Sequence, residues 1–461
     1  MSSVSSPSAV FRLGHATHHD FRMLVEMVIA QLGDLTELMA TIHPKSTPMT
    51  TEPEGSGSAT GRVIPESLDP EGLDGAAPGY LLGIAYVTPA MESRWAHILV
   101  ELRRCLPQVQ WVGSVGHSIC AGATEYVDEP ALAVMLTSLA SSQWAMFSGL
   151  KGAAQRNGIA MAEASAILLH ADPSSANLVE NLGVLSAKAS QALVFGGVSS
   201  SSGNTIGSQT HVASQTVQGG LSGVMFGPQV RVLSRVTQGC RPFAPAHTVS
   251  ASSAHYLQAL DGVPALDVML ADLGVDESLR YSRDGQTLMR ALPAARLRSG
   301  LLIGISPAMD TKKPSQDETT AGAYGSEPRN PAPRRFGMAD YQVRNVVGID
   351  PEQRILALGA QVNRGDQIVF CTRDFDAAHA DLIRICAELR DEVEEQGLTM
   401  LGAHYVSCVG RGALLFGSPG AELSVIRHNL GDVPLVGFYA NGEIAGDKLY
   451  GYTGVLSLFV G

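Results

Sequence analysis

Two apolar segments near the C-terminal end of the chain each lead into a loop of small residues that carries one charge. Residues 400–406 precede the loop SCVGRG with Arg411, and residues 433–439 precede ANGE with Glu443. Glycine on both sides of Arg411 lets the backbone bend and gives a partner close access to the guanidinium. A guanidinium suits a carboxylate and a carboxylate suits an ammonium group, so together they could hold a zwitterion such as an amino acid. Alternatively, the two charges pair with each other or with loop backbone and close the domain.

Other polar side chains fall in or beside small-residue loops at predicted strand ends. Open α/β sheets bind ligands at such ends, where backbone N–H groups are free. Besides Arg411 and Glu443, the candidate ligand-binding residues are His117, Ser199, Ser200, Asn204, His404, Cys408, Tyr439 and Asn441. The alternatives stay open: ordinary turns for the loops, packing for the two histidines, and an inert buried thiol for Cys408.

The sequence lacks the common signatures of nucleotide, metal and hydrolase chemistry. It has no G-x-x-x-x-G-K-[ST], no H-E-x-x-H and no H-x-H, and its serine run at 199–202 lacks the G-x-S-x-G spacing. We therefore predict no metal ligands and no catalytic residues. Nucleotide and hydrolase chemistry are rejected as the leading interpretation.

Length, composition, net charge and cysteine count restrict the class of protein. A chain of 461 residues with 45% hydrophobic residues and 49 glycines favours two packed α/β domains. The net charge of −12 argues against nucleic acid or an anionic membrane as the main partner. No apolar run is long enough to span a bilayer, and no signal core begins the sequence. Six scattered cysteines indicate reduced thiols, so we expect a cytoplasmic protein.

A strand–helix–strand pattern followed by a Gly/Ser loop and another strand occurs three times. The predicted copies are 81–87, 91–105 and 110–115; 166–170, 174–189 and 192–198; and 367–372, 375–396 and 400–406. Their loops are 116–122, 199–203 and 407–412, and the strands after them are 131–139, 220–226 and 413–416. The predicted fold is α/β, with two domains built from internally duplicated strand–helix–strand–strand units and mixed sheets. We expect the loops to line one cleft.

The remaining segments complete the predicted organisation. Residues 1–12 read as loose, 17–32 as a first helix, and 454–460 as a closing strand. We predict one domain over 1–245 and another over 246–461. Residues 44–79 and 306–335 are rich in Pro, Gly and charge, so they are predicted to be exposed insertions that limited proteolysis cuts first.

Several short motifs resemble the FIST family of sensory domains. They are SCVGRG at 407–412, VPLVGFY at 433–439, GEI at 442–444, QGCRP at 238–242 and LDGVPAL at 260–266. Each motif alone is weak, but in this order they are fairly specific. The resemblance extends over most of the chain from about residue 82 onward.

The resemblance implies a small-ligand sensor of signal transduction with no enzymatic activity. Amino acids are the ligands suggested for the family, and the output would act in trans on a signalling partner such as a histidine kinase. No cofactor is required by this interpretation. A bacterial subset binds haem and senses nitric oxide for a partner kinase, which is the alternative here, because the loop at 116–122 departs from the family pattern by holding His117 and Cys120. An uncharacterised enzyme is a further alternative.

Overall fold

The structure, a computed structural model, divides the chain into two compact units that interleave in sequence. It describes residues 10–35, 81–149, 155–156, 159–175, 177–189, 192–200, 211–213, 216–217, 219–294, 300–308 and 341–461. The first unit comprises Met1–Val236, Ile383–Leu449 and Gly454–Gly461, and the second comprises Thr237–Leu382 and Tyr450–Thr453. The predicted domains, 1–245 and 246–461, divide the chain at one position, whereas each of these units is built from separate stretches of it.

The first part of the chain supplies two similar sets of elements. The first set is β1 Phe11–Thr17, α1 Phe21–Leu32, β2 Leu81–Val87, a 3-10 helix Pro89–Arg94, α2 Trp95–Cys105, β3 Val109–Val115, β4 Ile119–Ala121, β5 Thr124–Tyr126 and β6 Ala131–Thr137. The second set is a 3-10 helix Ser141–Gln143, β7 Trp144–Ser148, β8 Gln155–Arg156, β9 Ile159–Ala160, a 3-10 helix Met161–Glu163, β10 Ala166–Ala171, α3 Leu178–Lys188, β11 Leu193–Val198, β12 His211–Ala213, β13 Thr216–Val217 and β14 Leu221–Phe226.

The third set of the first unit begins with one strand and resumes after the second unit. In the sequence, the elements of the second unit follow that strand. They are β16 Cys240–Ser253, β17 Tyr256–Leu260, β18 Val263–Pro264, α4 Ala265–Asp272, α5 Glu277–Arg280, α6 Gly285–Ala291, β19 Leu302–Ser306, β20 Gln342–Asp350, β21 Ile355–Leu358 and β22 Gln367–Arg373. The third set is β15 Arg231–Gln238, α7 Phe375–Glu395, β23 Met400–Cys408, α8 Gly412–Phe416, α9 Ala421–Leu430, β24 Leu435–Ala440, β25 Glu443–Ala445, β26 Lys448–Tyr450 and β27 Thr453–Val460.

The three sets form three sheets of the same strand order in the first unit. The orders are β1-β6-β2-β3-β12-β13, β7-β14-β10-β11-β25-β26 and β15-β27-β23-β24-β4-β5. Each sheet has a parallel pair at its centre and antiparallel neighbours on both sides. Each ends in a short hairpin that comes from a different set. The hairpin β4–β5 of the first set completes the third sheet. The hairpin β25–β26 of the third set completes the second sheet, and the hairpin β12–β13 of the second set completes the first sheet.

Three glycines fix the spacing of the parallel pairs. Gly113 pairs with Ala85, Gly196 with Leu169 and Gly437 with Tyr405. A Cβ on these glycines would lie 1.8, 1.9 and 1.8 Å, respectively, from the carbonyl oxygen of the paired residue. The shared contact identifies β2–β3, β10–β11 and β23–β24 as equivalent.

This equivalence corrects the third predicted copy. The strand at 367–372 is β22, which belongs to the second unit, while β23 is the first strand of its parallel pair and not the second. The loop at 407–412 follows the first strand of a parallel pair, so it corresponds to the segments after β2 and β10. The segment that follows the second strand of this pair, and so corresponds to 116–118 and 199–200, is Asn441–Gly442. The strand predicted at 413–416 is also wrong, because these residues form α8. Apolar periodicity alone does not show which sheet a strand joins.

Apolar side chains from all three sheets share one core. This core includes Ile84, Met135, Leu168, Phe226, Val406 and Phe459. Helices α1 and α2 cover the outer face of the first sheet, and α3 covers the outer face of the second. The second unit has its own seven-stranded sheet, in the order β16-β22-β19-β20-β21-β17-β18, packed against α4 and α6. The predicted α/β class with mixed sheets is confirmed.

The N-terminal prediction was only partly right. Helix α1 begins after Asp20, whose carboxylate accepts hydrogen bonds from the N–H groups of Arg22 and Met23. Residues before it form β1, so Phe11 and Arg12 are not loose and the helix does not begin at residue 17. The proposed insertion at 44–79 and residues 309–335 of the other lie outside the described residues. Across the described ranges, no helix is long and apolar enough to cross a membrane.

We predict that Gly437→Ala strongly destabilises the first unit. The new methyl group would meet the backbone oxygen of Tyr405, which can move only if β23 and β24 separate. Overpacking of this kind costs about 1–3 kcal/mol or more. The matched control is Gly183→Ala in α3, where a Cβ has nothing within 4 Å. Chemical denaturation should show a lower midpoint for Gly437→Ala only, and equal midpoints would contradict the assigned packing.

Candidate functional site

The carboxyl ends of β3, β11 and β24 are joined to one another by backbone hydrogen bonds. Ser200 N–H donates to Val115 O at 2.8 Å, and His117 N–H donates to Tyr439 O at 2.9 Å. Val198 N–H donates to Gly442 O at 2.9 Å and so joins the ends of β11 and β24. We call residues 116–118, 199–200 and 440–442 the strand-end ring. The ring brings together one loop from each set of the first unit.

The ring presents three of the predicted ligand-binding side chains. His117 and Asn441 are exposed, and Ser200 is half-buried. Ser199 instead points inward: it is 1% exposed, and its hydroxyl accepts a hydrogen bond of 2.7 Å from the Ser114 hydroxyl. Asn204 lies outside the described residues. The loop with Arg411 touches the ring through Val409 N–H, which donates to Ala440 O at 3.0 Å.

Arg411 is not the exposed cation that its glycine neighbours predict. It is 1% exposed, and its Nε donates to Glu422 Oε1 at 2.7 Å. The same carboxylate accepts the hydroxyl groups of Tyr405 at 2.7 Å and Ser407 at 3.0 Å, and the N–H of Gly412 at 3.2 Å. Burial alone would lower the pKa of the guanidinium, but Glu422, together with Tyr405 and Cys408, more than offsets this effect and raises that pKa. The structure therefore contains a buried, hydrogen-bonded ion pair.

Of the two alternatives for Arg411, pairing within the protein is what the structure contains, but the partner is Glu422 and not Glu443. Glu443 is buried on β25, opposite Gly197 of β11. The partner that sequence reasoning missed is Glu422, in the first turn of α9. Its position eleven residues after Arg411, just behind the Gly-Ser-Pro-Gly turn, was the available signal, since acidic residues favour helix N-termini.

A second missed carboxylate, Glu125, reaches this pair from the first set. It lies on β5, within the hairpin that completes the third sheet, and accepts the N–H of Gly420 at 2.8 Å. A Cβ on Gly412 would lie 2.8 Å from Glu125 Oε1 and 2.8 Å from the Tyr439 ring. Burial raises the pKa of Glu125, and the nearby Glu422 raises it further. We call Arg411, Glu422, Glu125, Tyr405 and Tyr439 the carboxylate cluster.

His404 lies in the core, fully buried, and not at the strand-end ring. Its Nε2 is 2.6 Å from the Tyr86 hydroxyl, which is also 2.9 Å from His170 Nε2. The three residues come from β23, β2 and β10, one from each set, and all are fully buried. Burial lowers the pKa of His404 to about 3. The group therefore serves as a polar link among the three sheets.

The two remaining predicted residues are also enclosed. Cys408 is 6% exposed, and Tyr439 is 1% exposed. The six cysteines are all free thiols. A cleft of about 410 Å³ lies between the β4–β5 hairpin and the end of α9, and none of the predicted site residues lines it. Of the predicted set, only His117, Ser200 and Asn441 are thus both described and accessible.

Fold and site together define an α/β protein with a threefold-repeated unit and a ring of polar loops at its strand ends. A family model of the FIST N domain matches residues 81–263, and one of the FIST C domain matches residues 314–446. The chain belongs to the FIST family, whose domains are sensory modules of signal transduction and are not known as catalysts.

The chain is similar to mycobacterial proteins over most of its length. It is 27% identical to the uncharacterized protein Rv0628c of Mycobacterium tuberculosis over 411 residues, which are 85% of this chain and 93% of the relative. It is 28% identical to the uncharacterized protein Mb0898c of Mycobacterium bovis over 399 residues, which are 84% and 92% of the two chains. The names of these relatives give no function and no ligand.

We predict that Arg411→Ala lowers the stability of the protein even without a ligand. Removing the guanidinium leaves Glu422 as a buried carboxylate without its cation, a loss of about 3–5 kcal/mol. The control is Arg427→Ala, since the Arg427 and Asp432 side chains are 58% and 80% exposed and such pairs contribute about 0–1 kcal/mol. Urea denaturation of both variants checks this, and equal small losses would contradict a structural role for the pair.

We also predict an acid-dependent loss of stability that arises from His404. Unfolded, this histidine takes up a proton below its ordinary pKa of 6.5, whereas the folded chain keeps it neutral down to about 3. The contribution of neutral His404 to the free energy of unfolding is therefore complete above pH 6.5. Below that pH it falls by about 1.4 kcal/mol per pH unit. Unfolding free energies of His404→Gln should have a shallower slope between pH 6.5 and 4. An identical slope to the wild type and to the exposed-site control His428→Gln would contradict this prediction.

Proposed function

We propose that this protein is a small-ligand-binding sensor, that the ligand binds at the strand-end ring, and that the signal acts on a partner protein in trans. The observation that carries the proposal is the ring itself. Three loops distant in sequence meet through three backbone hydrogen bonds, from Ser200 to Val115, His117 to Tyr439 and Val198 to Gly442. Such an arrangement holds side chains from all three sets in fixed relative positions.

The chemistry of the ring suits a small polar metabolite such as an amino acid. His117 offers an imidazole, Asn441 an amide, and Ser200 a hydroxyl, so both hydrogen-bond donors and acceptors are present. Loops at strand ends on a rigid sheet are a common place for ligand sites in α/β proteins. The family's sensory role supports the same conclusion, and a histidine kinase is our proposed class of partner.

The described ring residues favour binding over catalysis. None of their hydroxyl groups is hydrogen-bonded to a histidine, and the Ser199 hydroxyl is bonded to Ser114 instead. A nucleophile needs a neighbouring base within hydrogen-bond reach. We therefore propose that the protein is not an enzyme.

The haem alternative has weaker support. His404 would have to give up its 2.6 Å contact with Tyr86 and leave the core before it could bind iron. His117 is the one predicted histidine that is exposed at the ring. A haem-binding form of the protein would therefore depend on His117, and haemin titration with a Soret band is the measurement that would support it.

The proposal predicts that ring side chains are needed for the ligand but not for the fold. Thermal unfolding should be followed with a panel of amino acids, organic acids and haemin, because specific binding raises the melting temperature by mass action. Any stabilisation should be lost in His117→Ala and Asn441→Ala while their unliganded melting temperatures stay close to wild type. The control is His428→Ala, an exposed histidine on α9 away from the ring. Full stabilisation in both ring variants would refute the proposed site.

A further inference from the structure

Only part of the hydrogen-bonding capacity of the Arg411 guanidinium is used. Its Nε donates to Glu422, but Nη1 and Nη2 have no hydrogen-bond partner among the described residues, although the side chain is fully buried. These two nitrogens carry four N–H donors, and buried donors on a charged group are costly to leave unpaired. The outer edge of the guanidinium has the fork geometry that binds planar oxyanions with two parallel hydrogen bonds.

The groups around the Nη1–Nη2 edge of Arg411 determine which ligand can bind there. The ring of Phe416 lies against the guanidinium, with its centroid 5.4 Å from Cζ. Glu422 already balances the charge of Arg411, and Glu125 adds a second carboxylate beside Gly412. An incoming anion would therefore meet an excess of negative charge. Neutralising Glu125 with a proton removes that excess and leaves Arg411 paired with Glu422.

We propose that the Arg411 fork binds a small planar oxyanion, such as a carboxylate group or an inorganic oxyanion, and that Glu125 takes up one proton as the anion binds. The site is separate from the strand-end ring, because it lies under α8 and α9 and uses none of the accessible ring side chains. It therefore does not depend on the proposed function.

Glu125 is the group placed to take the proton. The titratable groups that act on it are Glu422 on α9, Tyr439 on β24 and Cys120 on β4, and Arg411 reaches it through the shared neighbours Glu422 and Gly412. Burial already raises the pKa of its carboxyl, and Glu422 acts in the same direction, against the hydrogen bond from the N–H of Gly420. A further anion nearby raises that pKa again, which is the condition for proton uptake.

Helix α8 provides a route to the fork. It is five residues long and lies between Gly412 and Gly417, whose φ angles are +46° and +89°. Its Leu414 is 80% exposed and contributes little to packing. We place the entry of the anion at this segment, because Phe416 at its end lies against the guanidinium.

The test is isothermal titration of the full-length protein with sodium acetate and sodium nitrate between pH 5 and 8. Buffers with different ionisation enthalpies report the protons taken up. For the wild type we expect binding that weakens about tenfold per pH unit once Glu125 is ionised, with about one proton taken up per anion. Glu125→Gln should bind at all these pH values with no proton uptake. The control Arg427→Gln should behave as the wild type does.

The two probes separate the sources of the anion, and a second variant protects the test against misfolding. Binding of acetate alone indicates the carboxylate of an organic ligand, whereas equal binding of nitrate indicates a free inorganic oxyanion, and both support the fork. Arg411→Lys keeps a cation beside Glu422 but lacks the fork, so the folded variant should lose binding. The proposal is overturned if the folded wild type binds neither probe, if Arg411→Lys binds as well as the wild type, or if Glu125→Gln keeps the wild-type pH dependence.

Discussion

The exchange of hairpins among the three sheets is the constraint on which the first unit depends. Each sheet ends in a short strand from another set, β12 on β3, β25 on β11 and β4 on β24. An open sheet edge exposes unpaired backbone groups and invites aggregation, and a strand from a neighbouring set satisfies them. Because the exchange is cyclic, no set can complete its sheet alone. The close glycine contacts at Gly113, Gly196 and Gly437 keep the central strands parallel and in register within that cycle.

The same exchange creates both groups of polar residues. A hairpin that leaves one sheet for another must start at a strand end, so the three starting points lie close together and form the strand-end ring. The hairpin of the first set then carries Glu125 onto the third sheet, where its carboxylate accepts the N–H of Gly420 at the start of α9. The carboxylate cluster is therefore assembled from residues nearly three hundred positions apart by the topology that also closes the sheets.

The sequence predicted the elements better than their arrangement. Strands such as β2 and β10 are continuous apolar runs between clear turn signals, and a fully buried strand reads in that way. The exchanged hairpins have strands of two or three residues, as in β4 and β13, which are too short to show a period. The third copy was misassigned because β22 and α7 precede β23 in the expected order, although β22 joins the sheet of the second unit.

The candidate site was predictable only where a residue's exposure followed from its own loop. His117 and Asn441 are in turns at strand ends and are exposed, as their neighbours indicate. Arg411 has equally polar, glycine-rich neighbours, yet Glu422 and Tyr405 enclose it. Its burial depends on α9 folding back over β23, which no local pattern reports. His404 is similar, since its position is set by Tyr86 and His170 from two other sheets.

The distribution of hydrogen bonds argues that the buried ion pair has a role besides stability. Replacing a buried pair with apolar residues of similar volume is often neutral or stabilising, so such a pair is weak evidence of a stabilising function. Here Glu422 accepts four hydrogen bonds, whereas Nη1 and Nη2 of Arg411 donate to no partner among the described residues. A purely structural pair would satisfy both members. Tyr439 lies between the carboxylate cluster and the ring, because its side chain belongs to the cluster while its N–H donates to Ser118 O and its C=O accepts from His117 N–H.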